Sequence, residues 1–310
     1  MPPDAERTET RVEVDGRVLT LVNLEKVMYP RTGTTKAEVL HYYAQVAPVL
    51  LPHLAGRAVT RIRWPNGTGA QSFFEKNAPA GLPSWVRTVE VPTSGSRSGS
   101  GEGGTLRFPV IESLAALTVL ANLAALELHV HQWTVDDDGD VVNPDRLVVD
   151  LDPGEPAGLG ECARAALLVR ERLAARDLPC APVTSGSKGL HLYAPLNRDR
   201  TSDDARDLAR ELAEALQRSH PDLVLAQMTK ARRTGKVFLD WSQNVGAKTT
   251  ISPYSLRGRE RPMVAAPRTW DEVEAGADDP LALEQLDLHD VLARVEEQGD
   301  LFGAQLSGRS

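Results

Sequence analysis

Arg146-Leu147-Val148-Val149-Asp150-Leu151-Asp152-Pro153-Gly154 is an apolar run that ends in two carboxylates one residue apart. Successive side chains of a β-strand point to opposite faces. An extended backbone therefore puts Leu147, Val149 and Leu151 on one face. Asp150 and Asp152 share the other, about 7 Å apart by strand rise. Two carboxylates at the end of an apolar strand repel each other and lose solvation. A divalent cation is the simplest offset, and hard cations such as Mg²⁺ or Mn²⁺ take carboxylate oxygens while keeping positions open for phosphate. A second apolar run, Val237-Phe238-Leu239-Asp240-Trp241, also ends in a carboxylate. Three aspartates at strand ends could hold two ions, the arrangement used in phosphoryl transfer. A D-x-D pair alone also fits two solvated strand ends.

Working outward from this strand, a helix is predicted near 158–175, strands at 181–185 and 190–194, a helix at 202–218 and a strand at 236–241. The 202–218 helix carries Ala205, Leu208, Ala209, Leu212, Ala213 and Leu216 at helical spacing. On the N-terminal side, residues 1 to about 18 read as a polar lead-in with one strand. Thr35-Lys36-Ala37-Glu38 has the form of a capping box. The helix it opens is expected to close at Pro52. Strands are expected at 86–92 and 105–111, joined by a Gly/Ser-rich mobile tip over 94–104. A helix at 113–126 and a strand at 127–135 follow, with a turn at Asp136-Asp137-Asp138-Gly139. Helices and strands mix without strict alternation, so the fold class expected is α+β. One domain is expected, with an N-terminal lobe over about 20–125, a catalytic core over about 126–268 and an acidic helical tail over 269–310.

The chain has 310 residues, 41% hydrophobic and 25% charged, enough for one large core or two lobes sharing one. There is no run of 18 apolar residues, and the start MPPDAERTET lacks a basic and an apolar signal region. The expected location is the cytoplasm, with no membrane partner. Cys162 and Cys180 form no C-x-x-C pair, and Cys162 falls on an apolar helical stripe. Net charge is -8, but its distribution is uneven. Residues 226–268 hold nine Lys/Arg against two Asp/Glu, whereas 269–310 hold two against eleven. That asymmetry predicts a localised anion-binding face.

Ser185-Gly186-Ser187-Lys188-Gly189 has the composition of a backbone nest for phosphate, or of a plain hairpin turn. It lacks the spacing of a Walker A loop. Arg232, Arg233, Lys236, Lys248, Arg257 and Arg259 populate the basic stretch. Lys36 falls in a first helical turn, where a bound anion would suit both the cation and the helix dipole. Asn23 and Lys26 lie just upstream. A 5′-phosphate between Lys26 and Lys36 competes with two solvated lysines. Trp64, Phe73 and Phe74 interleave with Arg61, Arg63 and Lys76, a pattern suited to base stacking beside phosphates. His129 and His131 form H-x-H on a strand, with His129 the candidate phosphate or sugar contact.

The segments VVDLDPGE, PVTSGSKGLHLY, GKVFLDWSQN and KTTISPYSLRGR resemble the polymerase domain of bacterial DNA ligase D. So do NLEKVMYP, GTTKAEV, RWPNG, FFEKN and LHVHQW, in order, from about residue 20 to 302. That domain belongs to the archaeo-eukaryotic primase superfamily. The resemblance implies an RRM-like catalytic core with an N-terminal lobe packed against it. It implies templated and untemplated nucleotide addition to a DNA 3′ end at gaps or breaks, often from ribonucleotides, with two Mn²⁺ or Mg²⁺ ions. Asp150, Asp152 and Asp240 match the metal carboxylates. His129, Ser185, Lys188, Arg233 and Arg257 match contacts to the incoming NTP or dNTP. Asn23, Lys26 and Lys36 match the pocket for a DNA 5′-phosphate. Arg63, Trp64, Phe73, Phe74 and Lys76 fall at the template strand. A DNA ligase and an end-binding protein are the partners implied, in the bacterial nucleoid. Ile62 departs from the family, which usually has a second basic residue there. A non-catalytic 5′-phosphate end-binding module and a two-metal phosphoesterase are the competing functions.

Overall fold

The computed structural model describes residues 8–93, 104–227 and 232–307. The described helices are α1 (Lys36–Leu54), α2 (Leu114–Asn122), α3 (Leu159–Ala174), α4 (Ser202–Ser219), α5 (Trp270–Asp278), α6 (Leu288–Gln298) and α7 (Leu301–Leu306). Two sheets carry the architecture. The larger has six strands, in spatial order Val224–Leu225, Val237–Asp240, Arg146–Pro153, Leu190–Pro195, Ala181–Thr184 and Ala266–Pro267. All neighbours are antiparallel except the first pair. The smaller has four: Thr250–Ile251, Ala125–Val130, Val59–Arg63 and Phe73–Glu75. The class is mixed α and β, as the sequence predicts.

The strand Arg146–Pro153 separates its two faces as its alternation requires. Leu147, Val149 and Leu151 are fully buried against α3 and α4, in a cluster with Cys162, Ala166 and Leu212. Val148 faces the other way, into the cluster that contains Tyr193, Val183 and the N-terminal residues Tyr42, Tyr43 and Leu50. Asp150 and Asp152 share that second face. Burying three aliphatic side chains contributes about 1.5–3 kcal/mol each, which fixes the register of the acidic pair.

Four expectations are corrected. Helix α1 does not close at Pro52 but runs to Leu54 with Pro48 and Pro52 inside it. Its stripe of Val46, Ala47, Val49, Leu50 and Leu54 is buried, and that packing outweighs the local cost of proline. The helix expected at 113–126 ends at Asn122, because Ala124 adopts φ 63° and opens the strand Ala125–Val130. The strand expected at 127–135 is thus shifted, with Thr134–Val135 a separate element. The lead-in is a hairpin, Glu9–Val14 with Arg17–Val22, turned by Asp15 and Gly16 at φ 52° and 69°. Asp-Gly between alternating residues is the signature of such a turn. Strands Thr88–Thr93 and Gly104–Pro109 pair as anticipated. Most of the Gly/Ser-rich tip between them lies outside the described residues.

Two glycines hold the segments around the acidic strand at backbone-contact distance. A Cβ at Gly154 would collide with the Arg233 carbonyl, and one at Gly189 with the Leu151 carbonyl. Gly154→Ala should therefore lower stability by about 1–3 kcal/mol, the usual cost of overpacking, measured by urea unfolding. An unchanged midpoint would contradict this close approach.

Candidate active site

Asp150 and Asp240 are directly opposite in the antiparallel register, and Asp150 is also opposite His191 on its other side. Asp152 follows two residues on, facing Phe238 in register. Asp150 and Asp152 line a cleft of about 240 Å³ together with His129, Ser185, Lys188 and Arg257. Asp240 is buried behind them. Its Oδ1 accepts from the Ser242 backbone N–H at 3.0 Å, the Asx-type cap of the 3₁₀ turn Trp241–Asn244. The Gln243 amide bridges the carboxylates, with Nε2 3.4 Å from Asp150 Oδ2 and 3.2 Å from Asp240 Oδ2. His191 Nε2 is 3.4 Å from Asp150 Oδ1.

The acidic group faces a basic wall. Lys248 Nζ is 3.8 Å from Asp240, and Arg233 is 3.9 Å from Asp152 while lying over the Phe238 ring. Lys188 Nζ donates to the Pro153 carbonyl at 3.2 Å. Burial, reinforced by the charge of Asp150, raises the Asp152 carboxyl above its usual value. Among the described residues no group of three or more His, Cys, Asp or Glu closes around one metal point. Carboxylate oxygens crowded in this way are nonetheless the donor set that suits a hard divalent cation.

The turn Ser185–Gly189 is braced from within and from the tail. Ser185 Oγ accepts from the backbone N–H groups of Ser187 and Gly189, both at 3.2 Å. Gln285 accepts from Gly186 N–H and donates to the Gly189 carbonyl. The acidic tail thus supplies a strut to the cleft that sequence did not reveal.

Across the cleft, Glu127 and His129 point the same way on the strand Ala125–Val130. Their side chains meet at 2.7 Å, Nε2 to Oε2. Glu127 also lies 3.6 Å from Arg257 and accepts from Gly258 N–H at 2.9 Å. Burial opposes ionisation of Glu127, but the hydrogen bond from His129 and the Arg257 charge outweigh it and hold its pKa down at about 2. An ionised carboxylate only accepts, so His129 carries its proton on Nε2. Sequence reasoning missed Glu127, Gln243, Ser242 and His191. The i, i+2 spacing of Glu127 and His129 on a strand was the available signal for the first.

Asn23, Lys26 and Lys36 are brought together by the backbone. Lys36 N–H donates to the Lys26 carbonyl and Lys26 N–H to that of Asn23. Lys26 Nζ reaches Asn66 Oδ1 at 3.2 Å, while Lys36 is only 5% exposed with Nζ on the Val22 carbonyl. A broad groove of about 1570 Å³ runs from His129 and Gln243 past Arg63, Phe74 and Lys76. Phe73 and Phe74 are 46% and 59% exposed, so neither is core. The expectation for Trp64 is corrected. Its ring is 7% exposed and packs where a Cβ on Gly258 would stand, leaving no face for a base. Ile62 is half-buried beside Phe74 in the sheet. His131 is buried against Trp133, and burial pushes its pKa down to about 3.

The model of the LigD primase-polymerase domain matches residues 35–302. The chain is 49% identical over 282 residues to the multifunctional non-homologous end joining protein LigD of Mycolicibacterium smegmatis, covering 91% of this chain and 35% of that protein. It is 32% identical over 285 residues to the bifunctional non-homologous end joining protein LigD of Bacillus subtilis, covering 92% and 43%. It superposes on the polymerase domain of Mycobacterium tuberculosis ligase D, solved in complex with DNA, with TM-score 0.85 and 48% identity, covering 93% of this chain and 98% of that one. Fold and cleft define a primase-polymerase domain. The chain belongs to the LigD primase-polymerase family, which implies nucleotidyltransferase activity. It spans well under half the length of these curated relatives. No described helix is long and apolar enough to cross a membrane.

Glu127 has a folded pKa below its unfolded one. Its stabilisation is therefore full above about pH 4.5 and lost as pH falls toward about 2. Glu127→Gln should lower stability by roughly 2–3 kcal/mol at pH 7. The gap from wild type should shrink steadily below pH 4.5 in urea titrations. A gap independent of pH would contradict the assignment.

Proposed function

We propose that this chain adds ribo- or deoxyribonucleotides to a DNA 3′ end at gaps or breaks carrying a 5′-phosphate, with a DNA ligase and an end-binding protein as partners in end joining or short-gap repair. The observation that carries the reading is the register itself. Asp150 stands opposite Asp240 with Asp152 beside it, in one cleft with Lys188 and Arg257 and with Arg233 3.9 Å from Asp152. Asp150, Asp152 and Asp240 are the residues to hold two divalent ions, Mn²⁺ or Mg²⁺. Such ions supply activation of the attacking hydroxyl and neutralise charge on the leaving group.

The protein's own residues do the positioning. Lys188 and the two arginines bind the triphosphate, guanidinium being suited to bidentate phosphate contacts. The Ser185–Gly189 turn, braced by Gln285, presents Lys188 and the Ser185 hydroxyl to the same anion. His129, oriented by Glu127, faces the nucleotide from the opposite sheet. The 1570 Å³ groove, with Arg63, Phe74 and Lys76 on its wall, seats the template strand. The Lys26/Lys36 pocket takes the 5′-phosphate on the far side of the gap.

The test is a gapped, 5′-phosphorylated duplex with Mn²⁺ and either rNTPs or dNTPs. Primer extension is expected. Asp150→Ala and Asp240→Ala should each reduce it by at least about 10²–10³-fold, as for the loss of one preorganised charge stabiliser. Binding without extension would instead make the chain an end-binding module, and shortening of the primer a phosphoesterase. Replacing the 5′-phosphate by hydroxyl should weaken DNA binding by about 1.5–3 kcal/mol, the range for charged hydrogen bonds. Equal affinity for the two ends would remove the lysine pocket from the reading.

A further inference from the structure

The two anion sites proposed above, one for a DNA 5′-phosphate and one for a nucleotide, are joined by packed structure. Lys26 immediately precedes the strand Val27–Tyr29, and Lys36 is bound to it through the hydrogen bond from its N–H to the Lys26 carbonyl. Tyr29 ends that strand and is fully buried. Its phenol donates to the backbone carbonyl of Arg257 at 2.9 Å. Arg257 lines the nucleotide cleft, and the next residue, Gly258, donates to Glu127, the carboxylate that orients His129. A second contact runs alongside. Lys26 Nζ reaches Asn66, the Thr68 N–H donates to the Met28 carbonyl, and the Trp64 ring that begins this loop packs on Gly258. Arg31 pairs with Glu260 outside both, at the exposed surface, where such a pair contributes little.

We infer that Tyr29 is a positioning residue that couples capture of the DNA 5′-phosphate to nucleotide binding, by fixing the Arg257 backbone to the strand that carries Lys26. The inference rests on the proposed lysine pocket and deepens it. A phosphate drawn between Lys26 and Lys36 biases the position of the Val27–Tyr29 strand. The phenol transmits that position to Arg257, and through Gly258 to Glu127 and His129. Burial raises the Tyr29 phenol well above its ordinary pKa, so it remains a donor at any working pH. Coupling of this kind is reciprocal: nucleotide binding must tighten hold on the 5′-phosphate by the same factor.

The experiment is a binding cycle on the full chain with a non-extendable primer, Mn²⁺ and a fluorescent ribonucleoside triphosphate. Nucleotide Kd is measured on gapped duplexes that differ only in a 5′-phosphate or 5′-hydroxyl. For the wild type, the phosphate should tighten nucleotide binding by about fivefold or more, the lower end of typical coupling. Tyr29→Phe keeps the ring and its packing and removes only the hydroxyl. It should bring that ratio close to one while retaining the preference of the DNA-only complex for a 5′-phosphate. That retained preference also shows the variant to be folded with its lysine pocket intact, so a merely structural role for the phenol would leave the ratio unmoved. A wild type indifferent to the 5′-phosphate in DNA binding overturns the lysine pocket and the coupling with it. A wild-type ratio of one, or a ratio unchanged in Tyr29→Phe despite a normal 5′-phosphate preference, overturns the coupling alone.

Discussion

Segregation of the two faces of the strand Arg146–Pro153 is the constraint from which the site follows. Leu147, Val149 and Leu151 are buried against α3 and α4. Together they are worth roughly 5–9 kcal/mol of apolar burial. Two carboxylates about 7 Å apart repel by roughly 2 kcal/mol at the effective dielectric of a protein surface. Burial wins, so the strand cannot rotate or slip to separate Asp150 from Asp152. A one-residue slip would put both carboxylates into the α3/α4 core. The antiparallel neighbour then adds Asp240 at the same level without further choice. The hydrophobic face behind the strand thus imposes both the burial that chiefly raises the Asp152 carboxyl and the nearness of Asp150 that adds to it.

The opposite wall obeys a different logic. There, charges are neutralised within the protein: Glu127 lies between His129 and Arg257 and caps the Gly258 N–H. The carboxylate stays ionised despite burial because its partners surround it. One wall crowds three carboxylates with Arg233 and Lys248 at the looser separations of 3.9 and 3.8 Å, and the other is a tightly hydrogen-bonded, charge-matched network. In the proposed reading, divalent ions would answer the carboxylates of the first wall, and a triphosphate would answer Lys188 and the arginines.

The six-stranded sheet was legible in the sequence where its strands alternate or end in charge, as in Arg146–Pro153 and Val237–Asp240. So was the amphipathic α4. Continuous apolar runs were not: in the segment from Leu114 to Val130 nothing but the positive φ of Ala124 separates helix from strand. Pro52 argued locally for a helix end that burial of Val49, Leu50 and Leu54 overrode. The aspartates, Lys188, Arg257 and His129 were singled out in the sequence because their residue types announce a chemistry, and the fold brings them to one place. Trp64 was misplaced because an aromatic beside arginines reads alike whether it stacks on a base or on Gly258. Gln243, Gln285 and Tyr29 went unseen because their roles depend on distant backbone groups.

The close approaches at Gly154 and Gly189 place main chain against main chain on both sides of the acidic strand. Distances among these segments are therefore set by peptide groups, with no side chain between them to be trimmed or enlarged. The residues that project into the cleft hang from a frame whose dimensions they do not determine. In the proposed nucleotide site, preference is accordingly a property that can drift, or be selected in a library at positions such as Ser187, Thr249 or Arg259, while the spacing of the backbone frame stays constant.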